Sequence, residues 1–576
     1  MTRLPEQPRR SLVLTRHFFN RIFQNEIIPF EEQMKEKMVA AWVMLAVLGG
    51  HIAISLFGRY GMMEKYIFLV KDPGSWADKC YFISFFSALL ALLVVLDWEA
   101  MFLDERDARN LLVLPLKSRT VFRTKFASFF IFITLYTAAV NAVATGVVVF
   151  FLPQFRSKSL VFLIRYAAAH WISTTAAFVF TFFLFALINA VFLIVFPPRW
   201  YRRIAWIFRF VLLIGLMALL MMFVINSLIK PNMFGWIRGI LENGKGIELF
   251  FPPLWFTGLY EILLGNKSPI FEFGAAMALV AVCCLPLLYF MAMSLCYGRI
   301  LETTGAFHDR LDRLSKPKKI MAGLFSSLAL RHPTERAVFY FVSRTLKTSA
   351  PHRMKIIGYL ALGCGLSFIL LFVPGISSPF LSIRQANVLA APIIIGFFLI
   401  LGLRSAVLVP TSGEANWIFR LTEKAPRARY FTGLKKAFVV RILVPLFSII
   451  FLFYALLWNF KYAGLHVLYA FALALVLLEL FFWKFNKFPF ACLSLPGKMK
   501  FQFYWIAYAF GGYAFIRGSS LLEKYFFEDI GNFWIFFGAV IVLLIGLRTY
   551  QNIFYYSKAR LIFEEAPEKT LILLEE

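Results

Sequence analysis

The chain has 576 residues, of which 60% are apolar and 18% aromatic, including 69 Phe, and its mean hydropathy is +0.73. Soluble globular chains average roughly 45–50% apolar, so the composition excludes a soluble enzyme or binding domain and gives a polytopic membrane protein. The formal charge of +28 is spread over many short segments and not gathered in one basic domain, which speaks against nucleic acid and for anionic lipid.

Residues 1–37 carry charge and no uninterrupted apolar core, so no cleavable signal is read there. Leu14, Phe18 and Ile22 form a stripe at helical spacing with Phe19 and Phe23 beside it. This predicts an amphipathic helix lying in the cytoplasmic interface; a soluble helix packed on the central linker is the alternative.

A bilayer core takes about 20 apolar residues per helix. Six runs follow, near 38–57, 80–98, 126–152, 169–196, 210–229 and 272–297. Residues 298–355 form a basic cytoplasmic linker, with an amphipathic stretch over 329–346. Six further runs lie near 356–373, 388–409, 437–458, 466–483, 501–516 and 532–550, and residues 551–576 form a tail. The run at 501–516 is short and rich in Tyr and Gly. Continuous rather than alternating apolarity excludes a barrel. The expectation is an all-α integral membrane protein of twelve transmembrane helices in two six-helix halves, 38–297 and 356–550.

Cytoplasmic segments keep the Lys/Arg excess. With the N-terminus inside, the inner segments hold seven Lys/Arg in 1–37, six in 104–125, four in 197–209, twelve in 298–355, seven in 404–436 and four in 484–500. The outer segments 374–387 and 459–465 hold one each, Arg384 and Lys461. Both termini are therefore expected in the cytoplasm.

Two inner loops recur between the second and third spans of each half. The first, DERDARNLLVLPLKSRTVFRTK, runs from Asp104 to Lys125, and the second, TSGEANWIFRLTEKAPRARYFTGLKK, from Thr411 to Lys436. Asp104 with Asp107, and Thr411 with Glu414, give capping-box-like helix starts. An apolar cluster follows in each case: Leu111, Leu112 and Leu114, then Trp417, Ile418, Phe419 and Leu421. Pro115 and Pro426 disfavour helix in the residue before them, so each helix is short. Such a helix between two crossings is a lever for a docked partner; an ordinary interfacial helix obeying the charge rule is the alternative. Matching Asn110 to Asn416 and matching the caps need shifts that differ by one residue, so the repeat is inexact.

The stretch Leu96 to Ser128, LDWEAMFLDERDARNLLVLPLKSRTVFRTKFAS, resembles the loop between the second and third helices of ABC-2 type permeases, the membrane subunits of bacterial ABC exporters. EANWIFRLTE, Glu414 to Glu423, is similar to fused twelve-helix members of that family. The resemblance implies an inner-membrane permease whose loops act as coupling helices to a separate ATPase. The implied contacts are Asp104, Arg106, Asp107, Asn110, Leu111, Leu112, Leu114, Pro115 and Arg119 in the first half, and Glu414, Asn416, Trp417, Phe419, Arg420 and Glu423 in the second. It also implies short re-entrant helices between the fifth and sixth spans, where Phe250 to Glu261, FFPPLWFTGLYE, fits the outer position.

No G-x-x-x-x-G-K-[ST] occurs, NGKG at Asn243 and PGKM at Pro496 being the nearest strings, so the chain itself has no nucleotide-hydrolysing motif. ATP enters through the partner, and no cofactor or metal is read in the chain. One copy or a homodimer fits the sequence equally. The six cysteines have no metal or disulfide spacing and read as small core residues.

A secondary transporter would place ionisable groups near the midplane. His51 is the one candidate there and reads as a packing residue. Glu479 and Arg441 lie near the inner ends of their helices, where they could pair. Asp97 and Glu99 close the second span, where they could orient the loop that follows. A membrane scaffold is the non-transport alternative, but it gives no reason for paired inner loops.

Overall fold

A computed structural model describes residues 6–23, 31–62, 75–98, 118–151, 159–229, 251–305, 330, 332–372, 386–411, 421, 423, 426–491, 501–528, 530–556 and 561. Every regular element among them is helical, and eleven helices are long and apolar enough to cross a membrane. The protein is thus an all-helical, multi-pass membrane protein. The chain divides into two units, Met1–Arg310 and Leu311–Glu576. The division falls inside the segment expected as linker.

In unit 1, α1 (Glu6–Phe23) precedes the spanning helices α2 (Glu31–Met62), α3 (Ser75–Leu96), α4 (Ser118–Phe151), α5 (Leu160–Val195) and α6 (Pro198–Ile229). A short helix, α7 (Pro252–Leu263), then leads into α8 (Pro269–Gly305). At about 1.5 Å per residue α7 is too short to cross; it packs instead on α3, α5 and α8. In unit 2, α9 (Pro333–Thr348) precedes α10 (Ala350–Phe372), α11 (Ala386–Val407), α12 (Ala428–Leu457), α13 (Phe460–Phe481), α14 (Phe501–Glu528) and α15 (Ile530–Tyr550).

The two units share an internal packing plan. In each, the helix before the spans packs on the third span, α1 on α4 and α9 on α12. α3 packs on α5 and α6 as α11 packs on α13 and α14, α4 packs on α5 as α12 packs on α13, and α5 packs on α8 as α13 packs on α15. The plan departs at the first span, since α2 packs chiefly on α4 and α10 chiefly on α11. Among the described residues, α7 has no counterpart in unit 2.

Contact with α4 explains the paired glycines of α2. A Cβ on Gly49 would stand 2.2 Å from the carbonyl oxygen of Val140, so only a bare backbone allows that approach. Pro445 explains an irregularity in α12: it lacks an N–H and its ring crowds the carbonyl four residues earlier. The turn before it, Val439–Leu443, widens to a π turn, which relieves the crowding.

Several spanning helices start earlier than the sequence expectation, α4 at Ser118, α6 at Pro198 and α10 at Ala350 among them. α5 begins at Leu160 rather than 169, because the Arg165 charge that shortened the apolar run is satisfied: its Nε donates to Leu263 O at 2.6 Å. α12 begins at Ala428 rather than 437, and its early lysines are likewise paired, as described below. Residues 501–516 form the first part of α14, which is not among the eleven helices long and apolar enough to cross. His51 is exposed on α2, not packed. Cys80 is buried, but Cys283 and Cys284 are exposed and so are not core residues.

Candidate functional site: the anchored ends of two loops

Of the residues expected to contact a partner, Asp104, Arg106, Asp107, Asn110, Leu111, Leu112, Leu114, Pro115, Glu414, Asn416, Trp417, Phe419 and Arg420 lie outside the described residues. Arg119 lies in the first turn of α4, within its helical backbone. Glu423 is described, and it accepts a hydrogen bond from Arg427 Nε at 2.6 Å, one turn before α12 proper. What the structure describes is where each loop leaves one span and enters the next.

The last carbonyls of a helix have no intrahelical donor. At the end of α3 they are met by groups from α5 and α6. Arg209 Nε donates to Val95 O at 2.7 Å, and its Nη2 donates to Leu96 O. A buried guanidinium there also opposes the negative end of the helix dipole. Asn189 Nδ2 donates to Trp98 O at 3.0 Å, Trp98 Nε1 donates to Phe185 O at 3.0 Å, and Tyr201 Oη donates to Asn189 Oδ1 at 3.0 Å. The first loop therefore leaves a point held by two other spanning helices.

The loop's far end enters α4, where α1 lies. Phe18 is buried, and the Lys125 ammonium stands 5.6 Å from its ring centroid. Of the expected stripe, Phe18 is buried and Leu14 and Phe19 are half-buried, and α1 packs on α4. Leu12 and Val13 are exposed beside Arg16.

Unit 2 repeats the arrangement with different residues. Past the end of α11, His352 Nε2 meets Val409 O at 2.9 Å while Ser349 Oγ meets Nδ1 at 2.6 Å. A carbonyl only accepts, so Nε2 carries the proton and Nδ1 accepts from Ser349. Thr411 gives both its N–H and its hydroxyl to Phe490 O, at 2.8 and 3.3 Å, and Phe490 N–H donates to Val407 O at 3.0 Å. Phe490 holds φ at 60°, a left-handed conformation unusual for a bulky residue. Its ring stands 4.8 Å from His352.

At the other end of the second loop, α9 docks on α12 through Glu335, Val338, Phe339, Val342 and Thr345, the face it buries. Lys436 Nζ donates to Glu335 Oε2 at 2.7 Å, and the Arg441 guanidinium lies 5.6 Å from the Phe339 ring centroid. Lys435 faces the other way: its Nζ donates to Glu479 Oε2 at 2.5 Å and to Gln551 Oε1 at 2.8 Å. Glu479, which the sequence left open as a partner of Arg441, pairs with Lys435, because Lys435 lies on the α12 face that meets α13. Tyr556 stacks on Phe431 at 4.5 Å, and burial, followed by the charge of Glu479, holds its phenol above the ordinary range.

A buried ion pair and a buried histidine–carboxyl hydrogen bond lie at the opposite ends of the spans. In unit 1, Lys79 Nζ meets Glu261 Oε1 at 2.6 Å, with the Tyr260 ring centroid 4.8 Å from the ammonium. This pair fixes α7 to α3. In unit 2, His466 Nδ1 meets Glu523 Oε1 at 2.5 Å with both side chains fully buried. The partners stand 182 and 57 residues apart in sequence.

Compared with protein-family models, curated proteins and solved structures, the chain matches none.

Proposed function

We propose that the chain is the membrane subunit of an ATP-driven exporter, a permease of ABC-2 type in the bacterial inner membrane, moved by a separate ATPase docked on the two loops. The observation that carries this reading is the double anchoring of each loop. Both depart from a second span whose end is held by neighbouring helices or loops, and both re-enter a third span braced by an amphipathic helix. A loop gripped at both ends passes a push to several crossings at once. A loop that merely rested on lipid would need no such restraint.

In this reading the chain makes twelve crossings, with both termini in the cytoplasm, and α14 is the twelfth. Its low hydropathy comes from the Tyr and Gly of 501–516 and from Arg517, Glu523, Lys524 and Glu528. Tyr508 stacks on Phe481 at 5.5 Å, while at the far end Tyr469 Oη donates to Ser519 O at 2.8 Å and Glu523 meets His466. α14 thus runs antiparallel to α13 over about four turns, the course of a companion crossing. α7 sits where the family places its re-entrant helices. Phe-, Leu- and Met-rich spans suit a lipid-like or amphipathic cargo moving outward.

Purification from native membrane tests the reading. An ATPase in stoichiometric amount is expected with the wild-type chain and is lost when Leu111, Leu112, Trp417 and Phe419 are replaced by Asp. Retention of the ATPase by that variant overturns the loop assignment. Proton-coupled secondary transport is the second reading, favoured by the buried His466–Glu523 pair. Solute movement driven by an imposed proton gradient in ATP-free vesicles holding the chain alone would establish it in place of the first.

A further inference from the structure

Unit 1 contains a buried polar cluster that none of the anchoring described above uses. Asn141 on α4 and His170, Ser173 and Thr174 on α5 are at most 1% exposed. Asn141 Nδ2 donates to Thr174 Oγ1 at 2.7 Å, and Thr174 Oγ1 donates back to His170 O at 2.7 Å. These bonds hold the four residues within one turn of α5 and the facing turn of α4. His170 Nδ1 lies 3.4 Å from Tyr260 Oη, which links the cluster to the Lys79–Glu261 pair.

Three atoms of this cluster have no hydrogen-bond partner among the described residues: Asn141 Oδ1, His170 Nε2 and Ser173 Oγ. A buried polar atom left unmatched costs about 1–3 kcal/mol, and at this depth the surrounding lipid offers no partner. Both sides of the cluster lie roughly ten residues, or about 15 Å, inside the ends of their helices, which is near the middle of a bilayer core. Three such atoms within one turn point to something that they hold.

We propose that Asn141, His170 and Ser173 form a binding site for a hydroxyl group near the middle of unit 1. Asn141 Oδ1 needs a donor, whereas Ser173 Oγ and His170 Nε2 take either role. A hydroxyl both donates and accepts, so it serves all three. A bare anion has nothing to give Asn141, and an ammonium would add an unpaired charge beside Lys79, whose carboxylate partner is already engaged. The hydroxyl comes either from water or from the headgroup of an amphipathic molecule. The site does not depend on the ATPase reading.

The test uses the full chain in reconstituted vesicles, with its six cysteines replaced and a single one introduced. Ser173→Cys is compared with Ile172→Cys on the adjoining exposed face of α5 and with Ser159→Cys at the helix start, using a small aqueous methanethiosulfonate reagent. Modification of Ser173→Cys at least tenfold faster than Ile172→Cys is expected, since the thiol reacts only where water reaches it. Equal or slower modification overturns the proposal. Hexyl glucoside protecting the thiol, where hexanesulfonate does not, assigns the hydroxyl to a headgroup; reaction unchanged by both assigns it to water. Should the cysteine-free chain fail to fold, Ser173→Ala in the native chain decides. A lower unfolding midpoint is expected because a bound hydroxyl loses a partner, and a raised midpoint overturns the proposal because only an unmatched atom has been removed.

Discussion

Lys436 and Glu335 are joined at 2.7 Å although they lie 101 residues apart, while Lys435, the neighbour of Lys436, reaches Glu479 in the opposite direction. Successive residues on a helix point about 100° apart, so two adjacent lysines fasten α12 to two different elements. One holds α9 and the other holds α13 and Gln551, the first residue of the π turn Gln551–Tyr555 that follows α15.

Breaking the buried member of this set should be costly. Glu479→Leu leaves the Lys435 ammonium without its carboxylate, and the expected loss is about 3–5 kcal/mol, read as a fall in the thermal unfolding midpoint of the detergent-solubilised protein. Lys435→Met combined with Glu479→Leu should recover most of that loss. A double variant no more stable than the single one would show that the pair is not the source.

α9 approaches α12 so closely that a Cβ on Gly433 would stand 2.6 Å from Glu335 O. Gly433→Leu should separate the two helices at a cost of about 1–3 kcal/mol, and a protease site introduced in the exposed face of α9 should be cut faster. Gly358→Leu, where a Cβ meets nothing within 4 Å, should leave both measurements unchanged.

Phe490 combines a packed ring with a left-handed backbone. Phe490→Ala and Phe490→Gly lose the same ring contacts, but only glycine is free of the backbone penalty, which is roughly 1–2 kcal/mol. The glycine variant should therefore unfold at the higher temperature. The reverse order would show that this conformation carries no strain.

Arg209 supplies donors to two carbonyls at the end of α3. Arg209→Met strands both, at about 1–3 kcal/mol each, and Arg209→Lys should restore part of the loss because one ammonium cannot reproduce the guanidinium fork. Hydrogen exchange at residues 95–98 should rise in the Met variant before exchange rises elsewhere in α3. Exchange confined to α6 would contradict the anchoring.

The spanning helices were legible because an apolar run long enough to cross reports itself locally. Where the reading slipped, a charge was the reason: Arg165 and Lys435 each cut a run short, and each is satisfied by a group that local sequence does not reveal. Leu263 O lies 98 residues from Arg165, and Glu479 lies 44 from Lys435. The amphipathic character of α1 and α9 was readable from helical spacing, whereas their shared docking on the third spans was not, because spacing gives a face and not what covers it. The same holds for the buried pairs Lys79–Glu261 and His466–Glu523. A lone charge inside an apolar run was the available signal, and its partner is fixed only by tertiary packing. All but Arg119 and Glu423 of the loops' own contact residues fall outside the described residues, so the site is known by its attachments.

The wide turn before Pro445 gives α12 two separately phased halves. Below it, Gly433 and Lys435 keep their appointments with α9 and α13; above it, Tyr454 Oη reaches Val388 O on α11 at 2.8 Å. Rewinding 439–443 as regular α-helix with every residue kept would swing everything beyond it by about 100°, carrying Tyr454 away from α11. The wide turn therefore acts as a spacer that takes up one residue, and a single deletion that closed it would leave both halves of α12 facing as they do now.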